Sequence, residues 1–339
     1  MTANRQFRLK QRPQGRVTAA DFDFTSPPAA DPGPGEIQVR TELLSLDPTN
    51  RIWMTDMPQY MPPVQIGEVM RGGGLGRVVA SQAEGYAPGD LVTGLLGWQD
   101  YYTGPPAGVQ VLPPGLKLPP EVLLGACGMT GITAYFGLRE VGQAKAGETV
   151  VVSAAAGAVG SIVGQIAKIM GCRVVGIAGG AAKCAWLVDE LGFDAAVDYK
   201  QPDWRTALKA AAPDGVDIDF ENVGGEVMAG VTNRMNLFGR IVLCGMISGY
   251  NEAKPALGDY GSILMRRLRV QGFIVTDFAP RWGEAAAQLA RWIGEGRIKH
   301  RETVVDGLEH APEVLNRLFD GENFGKLMIR VAPGHAPSP

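Results

Sequence analysis

The sequence predicts an α/β protein with a doubly wound parallel sheet and a second, β-rich region. From about residue 148 to residue 275, apolar β-branched runs alternate with helical stretches. This alternation predicts parallel strands joined by right-handed crossovers. Before Gly125 the chain carries 16 of its 24 prolines, in short segments divided by Pro and Gly that are typical of a β-rich domain.

The domain boundary is expected near Gly125, where the helical stretch GACGMTGITAYFGLREVG begins. We expect residues 1–125 to form the β-rich domain and residues 126–296 to form the parallel-sheet domain. The segment after Gly296 predicts strand, helix and strand, so residues 297–339 are expected to complete the N-terminal domain. A chain of 339 residues, 45% of them hydrophobic, is long enough for two cores.

The elements of the parallel-sheet domain follow from short buried runs and the helical stretches between them. The predicted strands are 148–154, 172–180, 193–199, 215–222, 239–248 and 270–275. The predicted helices are 161–171, 181–192, 202–211 and 225–235.

The first strand and helix enclose an AxGxxG turn through Ala155, Gly157 and Gly160. In a dinucleotide site the middle glycine lets the backbone approach the pyrophosphate, and the last lets helix and strand pack closely. Alanine at the first position makes the match weaker than GxGxxG, so the turn alone leaves plain packing open. Small or polar residues at the other strand ends, near Gly179, Asn222 and Gly245, favour a ligand at this sheet edge.

The end of the second strand favours NADP over NAD. An NAD site usually has an acidic residue about 20 residues past the glycine turn, whereas this chain reads IAGG there, followed by Lys183. A lysine at this position suits a 2′-phosphate. The alternative is that Lys183 is an ordinary solvated residue in the first turn of a helix.

Composition narrows the classes of partner. The net charge of −3 and the pI near 5.8 argue against a broad surface for nucleic acid or anionic membrane. The apolar run from Val150 reaches only Gly164, which is short of the ~20 residues that a membrane span needs. The N-terminal segment has no apolar signal region, so we expect a cytoplasmic protein.

The four cysteines are expected to be reduced and mostly buried. They show no CxxC spacing, and the three histidines all lie late in the chain, away from them. A zinc site needs three or four converging ligands. We therefore expect no metal at Cys127, Cys172, Cys184 or Cys244.

Ten short segments carry a resemblance that spans nearly the whole chain: LSLDP, GEVMRGGGLGRVV, GACGMTGITAYFGL, AAAGAVGSIVGQIAK, GCRVVGIAG, ELGFDAAVDYK, FENVGGEV, GRIVLCGMISGYN, RLRVQGFIV and GENFGKL. In this order the chain resembles the zinc-independent medium-chain dehydrogenase/reductases, and within them the NADP-dependent prostaglandin, curcumin and alkenal double-bond reductases. The resemblance implies a Rossmann domain, a GroES-like N-terminal domain completed by the C-terminal tail, and a homodimer.

The resemblance also implies a set of residues that contact NADP(H). They are Gly157, Ala158, Val159, Gly160, Lys183, Tyr199, Asn222, Cys244, Gly245, Met246, Ile247, Ser248, Gly249, Tyr250, Phe273, Ile274, Val275 and Asn323. The glycine turn would contact the pyrophosphate. Lys183 and Tyr199 would reach the phosphate at the adenosine end, and Asn222 would lie along the cofactor. Residues 244–250 would wrap the nicotinamide half, residues 273–275 would pass its ring, and Asn323 would hold its amide.

Each of these residues has a structural alternative. Tyr199 could cap a strand, Asn222 could satisfy a turn, and residues 273–275 could be plain core. Asn323 could be a turn residue in the left-handed region.

The expected chemistry is conjugate reduction. Without a zinc ion or a Ser/Tyr/Lys arrangement, alcohol oxidation lacks an obvious way to stabilise an alkoxide. Hydride addition to the β-carbon of an α,β-unsaturated ketone or aldehyde needs positioning and a donor for the enolate oxygen. Tyr250 is the candidate donor, although it could be an aromatic lid on the cofactor. A quinone reductase and a low-turnover NADPH-binding structural or sensor protein stay open as alternatives.

Substrate choice is expected to differ from that of the similar proteins. Where these commonly read DPYMRGRM, this chain reads DPTNRIWM, so Thr49 replaces a tyrosine and Trp53 enters. Thr49, Trp53 and Tyr60 are the candidate pocket residues, with Met54 and Met61 as further candidates for an apolar wall. A second departure, Gly-Ala-Ala before Lys183, removes a hydroxyl and an acid, so NADP preference need not be absolute.

Overall fold

A computed structural model of the chain describes residues 2–251 and 260–331. The strands of this described part are β1 (Gln6–Leu9), β2 (Phe22–Thr25), β3 (Ile37–Ser45), β4 (Gly73–Ser81), β5 (Leu91–Leu95), β6 (Tyr101–Gly104), β7 (Gln110–Val111), β8 (Thr149–Val152), β9 (Arg173–Ala178), β10 (Ala195–Asp198), β11 (Val216–Glu221), β12 (Met235–Leu243), β13 (Arg269–Gly272), β14 (Glu302–Asp306) and β15 (Lys326–Arg330). The α-helices are α1 (Thr49–Trp53), α2 (Pro120–Leu124), α3 (Met129–Phe136), α4 (Gly160–Ile169), α5 (Ala181–Ala185), α6 (Trp204–Ala211), α7 (Gly225–Thr232), α8 (Tyr260–Arg266), α9 (Trp282–Gly294) and α10 (Ala311–Asp320).

The chain divides into two compact units. The first contains the residues up to Leu124, then Glu302–Glu322, and the described residues from Lys326 onward. The second, the nucleotide unit, contains Gly125–Arg301 and Asn323–Gly325. Residues 332–339, which we expected in the N-terminal domain, lie outside the described residues.

Two short segments expected in the N-terminal domain belong to the nucleotide unit instead. Residues 297–301 lie in the nucleotide unit, where the Gln165 amide donates to the carbonyl of Lys299 at 2.8 Å and accepts from its N–H at 2.7 Å. Residues 323–325 return to the same unit, because the Gly325 N–H donates to the carbonyl of Ala156 at 2.9 Å.

The nucleotide unit is built on a six-stranded parallel sheet with the order β10-β9-β8-β11-β12-β13. Numbered within the unit, this is the doubly wound order 3-2-1-4-5-6, which confirms the predicted Rossmann sheet. The direction of winding reverses between β8 and β11, so their carboxyl ends define a topological switch point. Ligands of such sheets bind outside the strand ends at that point.

The central strands are buried on both faces, which explains the continuous β-branched run of β8. All four residues of β8 are buried, and so are Ile218 and Phe220 of β11. One face packs on α6 and α7 through a cluster that includes Val151, Leu208 and Val231.

Several predicted boundaries need correction. The helix predicted at 181–192 ends as α5 at Ala185 and continues as a π-helical segment, Trp186–Glu190. The helix predicted at 225–235 ends at Thr232, and the strand predicted at 239–248 spans Met235–Leu243. Met235 already pairs with Val216, and a short apolar run such as MNLF cannot be assigned to helix or strand by its pattern.

The first unit is β-rich, as predicted. Its main sheet has the order β14-β15-β3-β4-β5-β7, with β6 also paired to β3, and all its pairings except β14–β15 are antiparallel. The core joins residues far apart in sequence, such as Phe7, Trp98, Leu315 and Ile329. The last helix and strands therefore belong to the core of the N-terminal part.

Candidate cofactor and substrate sites

The turn between β8 and α4 has the backbone geometry to hold an anion. The backbone amides of Ala158, Val159 and Gly160 donate to no other residue in the described part of the chain. A Cβ at Gly160 would lie 2.5 Å from the carbonyl oxygen of Ala154, so only glycine fits this approach. Three unsatisfied N–H groups at the start of a ten-residue helix suit the pyrophosphate of a dinucleotide.

Ser153, the first residue after β8, links the turn to the end of β11. Its hydroxyl donates to Oε1 of Glu221 at 2.7 Å and accepts from the N–H of Asn222 at 2.7 Å. The Asn222 amide also donates to the Ser153 carbonyl at 2.7 Å. Asn222 is thus held at the switch point, where we expected it to follow the cofactor.

A pair of buried carboxyl groups lies along β11. Oε1 of Glu221 also accepts from the N–H of Gly224 at 2.8 Å, whereas neither carboxyl oxygen of Asp219 has a hydrogen-bond partner among the described residues. Burial raises the pKa of both groups, and the negative charge of Glu221 raises the pKa of Asp219 further. Because Glu221 accepts several hydrogen bonds and Asp219 accepts none among the described residues, Asp219 is the group whose pKa is raised more.

The ends of β9 and β10 bring together a cluster of cations. A Cβ at Gly179 would lie 2.9 Å from Cε of Lys200 and 3.0 Å from the Tyr199 ring, so both side chains cover this strand end. Burial lowers the pKa of Lys183, and the nearby charge of Lys200 lowers it further. Asp198 accepts from the N–H groups of Gly180 at 2.8 Å and Lys200 at 3.1 Å.

This cluster fits a 2′-phosphate. An ammonium group whose pKa is lowered by burial and by a neighbouring cation is stabilised when an anion binds beside it. Lys183 and Tyr199 were expected here, whereas Lys200 was not. Its signal in the sequence is its position directly after Tyr199.

The segment Asn323–Gly325 lies beside the glycine turn. The Asn323 amide donates to the Gly325 carbonyl at 3.0 Å, and Gly325 forms a bridge with Gly157. Between them, the Phe324 ring has Nζ of Lys183 at 5.4 Å from its centroid and Cζ of Arg301 at 4.4 Å. Asn323 therefore sits near the residues expected to hold the pyrophosphate.

The loop after β12 is hydrogen-bonded to the residues at the switch point. The N–H of Ile247 donates to the Asn222 carbonyl at 3.1 Å, and the Ser248 hydroxyl donates to the Val223 carbonyl at 2.6 Å. The N–H groups of Cys244 and Gly245 donate to the Glu221 carbonyl at 2.9 and 3.1 Å. The loop expected to wrap the nicotinamide half, Cys244 to Tyr250, thus lies over the end of β11.

Tyr250 forms a hydrogen bond within this loop. Its phenol oxygen accepts from the N–H of Met246 at 3.1 Å. This bond uses a lone pair of the oxygen and not its proton, so it is compatible with a donor role.

Cys244 is not activated as a nucleophile. Burial of its thiol raises the pKa to about 12, and the negative charge of Glu221 contributes. A thiol in this environment stays protonated at neutral pH.

Residues 273–275 follow β13. The Phe273 ring packs on Gly137 and lies 6.3 Å from the ring of Phe278. The carbonyl of Val275 accepts from the indole of Trp282 at 2.9 Å, and the N–H of Ile274 donates to Asp277. Phe273 is thus part of the packing against the end of α3.

The three candidate substrate residues meet in the first unit. The Tyr60 hydroxyl accepts from the indole N–H of Trp53 at 3.0 Å and is hydrogen-bonded to the Thr49 hydroxyl at 2.7 Å. Trp53 is only 7% exposed and Met54 is completely buried in the core, whereas Tyr60 is 46% exposed. Thr49 and Tyr60 therefore offer the accessible polar groups of this cluster.

Comparison with known proteins places the chain in a family. Residues 5–112 match the family model described as the N-terminal domain of oxidoreductase, and residues 158–293 match the model described as zinc-binding dehydrogenase. The chain is 44% identical to the NADPH-dependent curcumin reductase of Escherichia coli (strain K12), over 97% of each chain. It is 39% identical to prostaglandin reductase 1 of Rattus norvegicus, over 97% of this chain and 100% of the relative.

The chain belongs to the zinc-independent medium-chain dehydrogenase/reductases.

A solved structure of the same family carries the cofactor. CurA from Vibrio vulnificus, in complex with NADPH, is 42% identical, with a TM-score of 0.92 over 97% of this chain and 100% of that chain. Although one matching family model is named for zinc binding, no group of three or more His, Cys, Asp or Glu in residues 2–251 and 260–331 could hold a metal ion. None of the helices that the structure describes is long and apolar enough to cross a membrane.

In this medium-chain reductase, Ser153, Glu221 and Lys200 lie beside residues of the predicted cofactor set. The contact between Ser153 and Glu221 was not predicted, because the two residues are separated by 68 positions and meet only when β8 pairs with β11. Their signal is that each lies near the end of a predicted strand, and Glu221 also precedes Asn222, which was selected.

Proposed function

We propose that the protein uses NADPH to reduce the carbon–carbon double bond of medium or large α,β-unsaturated ketones or aldehydes. The observation that carries the proposal is the 44% identity, over 97% of the chain, to an NADPH-dependent curcumin reductase. The NADPH complex of CurA, at a TM-score of 0.92, supports the same cofactor.

The nucleotide unit has the donors that NADP(H) needs. The unpaired amides of Ala158, Val159 and Gly160 would bind the pyrophosphate, and Lys183 with Lys200 would bind the 2′-phosphate. Tyr199 would cover the same phosphate. The loop from Cys244 to Tyr250 would then enclose the nicotinamide half, with Asn222 beneath it.

The residues of the chain position the substrate and stabilise charge. When bound, NADPH supplies the hydride that adds to the β-carbon of the substrate. The enolate oxygen that develops needs hydrogen-bond donors, and Tyr250 offers a phenol proton for this purpose. Tyr60 and Thr49 are proposed to line the substrate pocket, with the Trp53 indole orienting the Tyr60 hydroxyl.

A substrate panel tests the proposal. We expect loss of NADPH absorbance with a simple enone and faster loss with larger aromatic enones, while NADH gives slower rates. Oxidation with quinones alone would replace the proposal with a quinone reductase. Tight NADPH binding without oxidation by enones, enals or quinones would indicate a binding protein instead.

We also propose a homodimer formed through the outer edge of the parallel sheet. β13 is the terminal strand, and all four of its residues are exposed. Beside it lie exposed apolar side chains, including Phe238 at 68% and Leu264 at 74%. A second copy of the chain would cover this apolar surface and satisfy the strand edge.

Light scattering of the purified protein tests this state. The double variant Phe238→Glu/Leu264→Glu is expected to give a monomer, while the same change at exposed Phe24 of the first unit leaves the mass unchanged. A monomeric wild type would refute the dimer. The proposal further places the enzyme in the cytoplasm, which an intracellular cofactor and four cysteines without the spacing of a disulfide framework support.

A further inference from the structure

We propose that Phe324 is a positioning residue for Lys183, and that its ring thereby strengthens the preference for a 2′-phosphate over a 2′-hydroxyl. This inference rests on the proposed NADPH function. It concerns a residue outside the expected cofactor set, which included its neighbour Asn323 but not the ring itself.

The backbone fixes the place of the ring. Gly325 donates its N–H to the Ala156 carbonyl at 2.9 Å, on the glycine turn. A Cβ at Gly325, where φ is +60°, would lie 1.8 Å from the Arg301 carbonyl oxygen. The residue after Phe324 is therefore held between the turn and the segment before β14, which leaves Phe324 little freedom to move.

Two cationic side chains lie over the Phe324 ring. Nζ of Lys183 lies 5.4 Å from its centroid and Cζ of Arg301 lies 4.4 Å from it, both within the range of cation–π attraction. Trp186 supports the ring from the edge, with centroids 5.8 Å apart and an interplanar angle of 71°. An aromatic face attracts an ammonium group without neutralising it, so the charge of Lys183 remains available to a phosphate.

The ring of Phe324 lies at the surface of its unit and not in a core. The ring is half-buried and lines an open pocket together with Trp186, Arg301, Asp189 and Glu190. Lys183 extends from the short helix α5 on a flexible four-carbon side chain. Contact with a fixed ring reduces the conformational entropy that Lys183 loses when it binds an anion.

The test uses two ligands that differ only in the 2′-phosphate, adenosine 2′,5′-bisphosphate and adenosine 5′-monophosphate. Calorimetric titration measures both dissociation constants for the wild type, Phe324→Leu, Phe324→Tyr, Lys183→Gln and Phe324→Leu/Lys183→Gln. Leucine keeps the apolar bulk and removes the ring, whereas tyrosine keeps the ring. Lys209→Gln, at an exposed lysine on α6, is the matched charge control.

We expect Phe324→Leu to weaken the bisphosphate roughly 3- to 10-fold, the range of a half-buried cation–π contact. The monophosphate should bind within about twofold of wild type, and Phe324→Tyr should restore the bisphosphate affinity. In the Lys183→Gln background, Phe324→Leu should have no further effect on bisphosphate binding, because there is no ammonium left to position.

Two results would overturn the inference. If Phe324→Leu weakens binding of both ligands equally, the ring serves packing alone. If the effects of Phe324→Leu and Lys183→Gln on bisphosphate affinity are fully additive in the double variant, the ring does not act through Lys183. If wild type binds the two ligands equally, the 2′-phosphate site itself is wrong and the NADPH assignment falls with it. In that case Lys183→Gln would change the dissociation constants no more than Lys209→Gln does.

Discussion

The Ser153 hydroxyl and the Glu221 carboxylate, 2.7 Å apart, join two strands at the point where the winding of the sheet reverses. The same carboxylate accepts from the N–H of Gly224, and the same hydroxyl accepts from the N–H of Asn222. One buried acid thus holds the turn after β8 and the loop after β11, which we propose form the floor of the cofactor crevice.

Removing the Ser153 hydroxyl should loosen this crevice. Ser153→Ala leaves the buried Glu221 with one donor fewer and the Asn222 N–H without its acceptor. We expect a loss of about 1–3 kcal/mol in the free energy of unfolding and weaker NADP⁺ binding. Thermal unfolding and calorimetry measure the two effects, with exposed Thr206→Ala on α6 as control. Wild-type values for both quantities would contradict a shared role.

Asp219 is expected to make stability depend on pH. Its pKa is raised in the fold by burial and by Glu221, so the unfolded chain releases the proton first as pH rises above about 4. The free energy of unfolding should therefore fall as pH rises from there toward the higher pKa of the folded state.

Replacing Asp219 by an apolar residue should remove this loss of stability with rising pH. Asp219 lies on β11 between Val151 and Ile241, where valine suits both the strand and the core. We expect Asp219→Val to stabilise the protein by about 1–3 kcal/mol at pH 8 and by less at pH 4.5. Thermal melts at both pH values measure this, and exposed Asp214→Val controls for the charge. A gain that does not change with pH would contradict a protonated Asp219.

The lowered pKa of Lys183 predicts the pH range of cofactor preference. Burial and Lys200 lower this pKa, so the ammonium of the free protein is lost at a lower pH than that of an ordinary lysine. The ratio of NADP⁺ to NAD⁺ affinity should therefore decline as pH rises through that lowered value. Titrations from pH 7 to pH 10 measure it, since these ligands differ at the 2′-position alone.

Lys183→Arg provides the comparison, because a guanidinium stays charged over this range. Its affinity ratio should stay level where that of wild type declines. Parallel curves for the two proteins would assign the titration to another group.

Tyr250→Phe tests the proton donor. The phenol oxygen accepts from Met246, so its loss affects one loop hydrogen bond as well as the proposed donor. We expect turnover of the preferred enone to fall roughly 10- to 100-fold, at the lower end of general acid effects. The dissociation constant of NADP⁺ should change less than about threefold. Unchanged turnover would remove Tyr250 from the mechanism.

Local pattern was enough to predict the sheet but not its cross-strand contacts. The strands alternate regularly with helices, and β8 is a β-branched, fully buried run, whereas β11 alternates apolar residues with acids. The pairing of Ser153 with Glu221 depends on strand order and register, which no local pattern records. Lys200 was missed for the same reason, because β9 and β10 must pair before it meets Gly179.

The substrate residues were predicted as a group, but their relation was not. Thr49 and Trp53 were selected because they depart from a related segment, and Tyr60 as part of an aromatic wall. The structure joins the three through the Tyr60 hydroxyl. The sequence could not indicate that Trp53 is largely core. Burial of an indole with its N–H directed outward depends on packing around the whole ring.

The three-residue return of Asn323–Gly325 to the nucleotide unit affects how this protein can be divided. A fragment cut at Gly125 and Arg301 would contain every strand of the parallel sheet, yet the Ala156 carbonyl would lose its partner and Lys183 its ring. An exchange of cofactor units between related enzymes must therefore transplant two separate pieces of chain. A recombination point placed between α10 and β15 would separate residues that act on the same nucleotide.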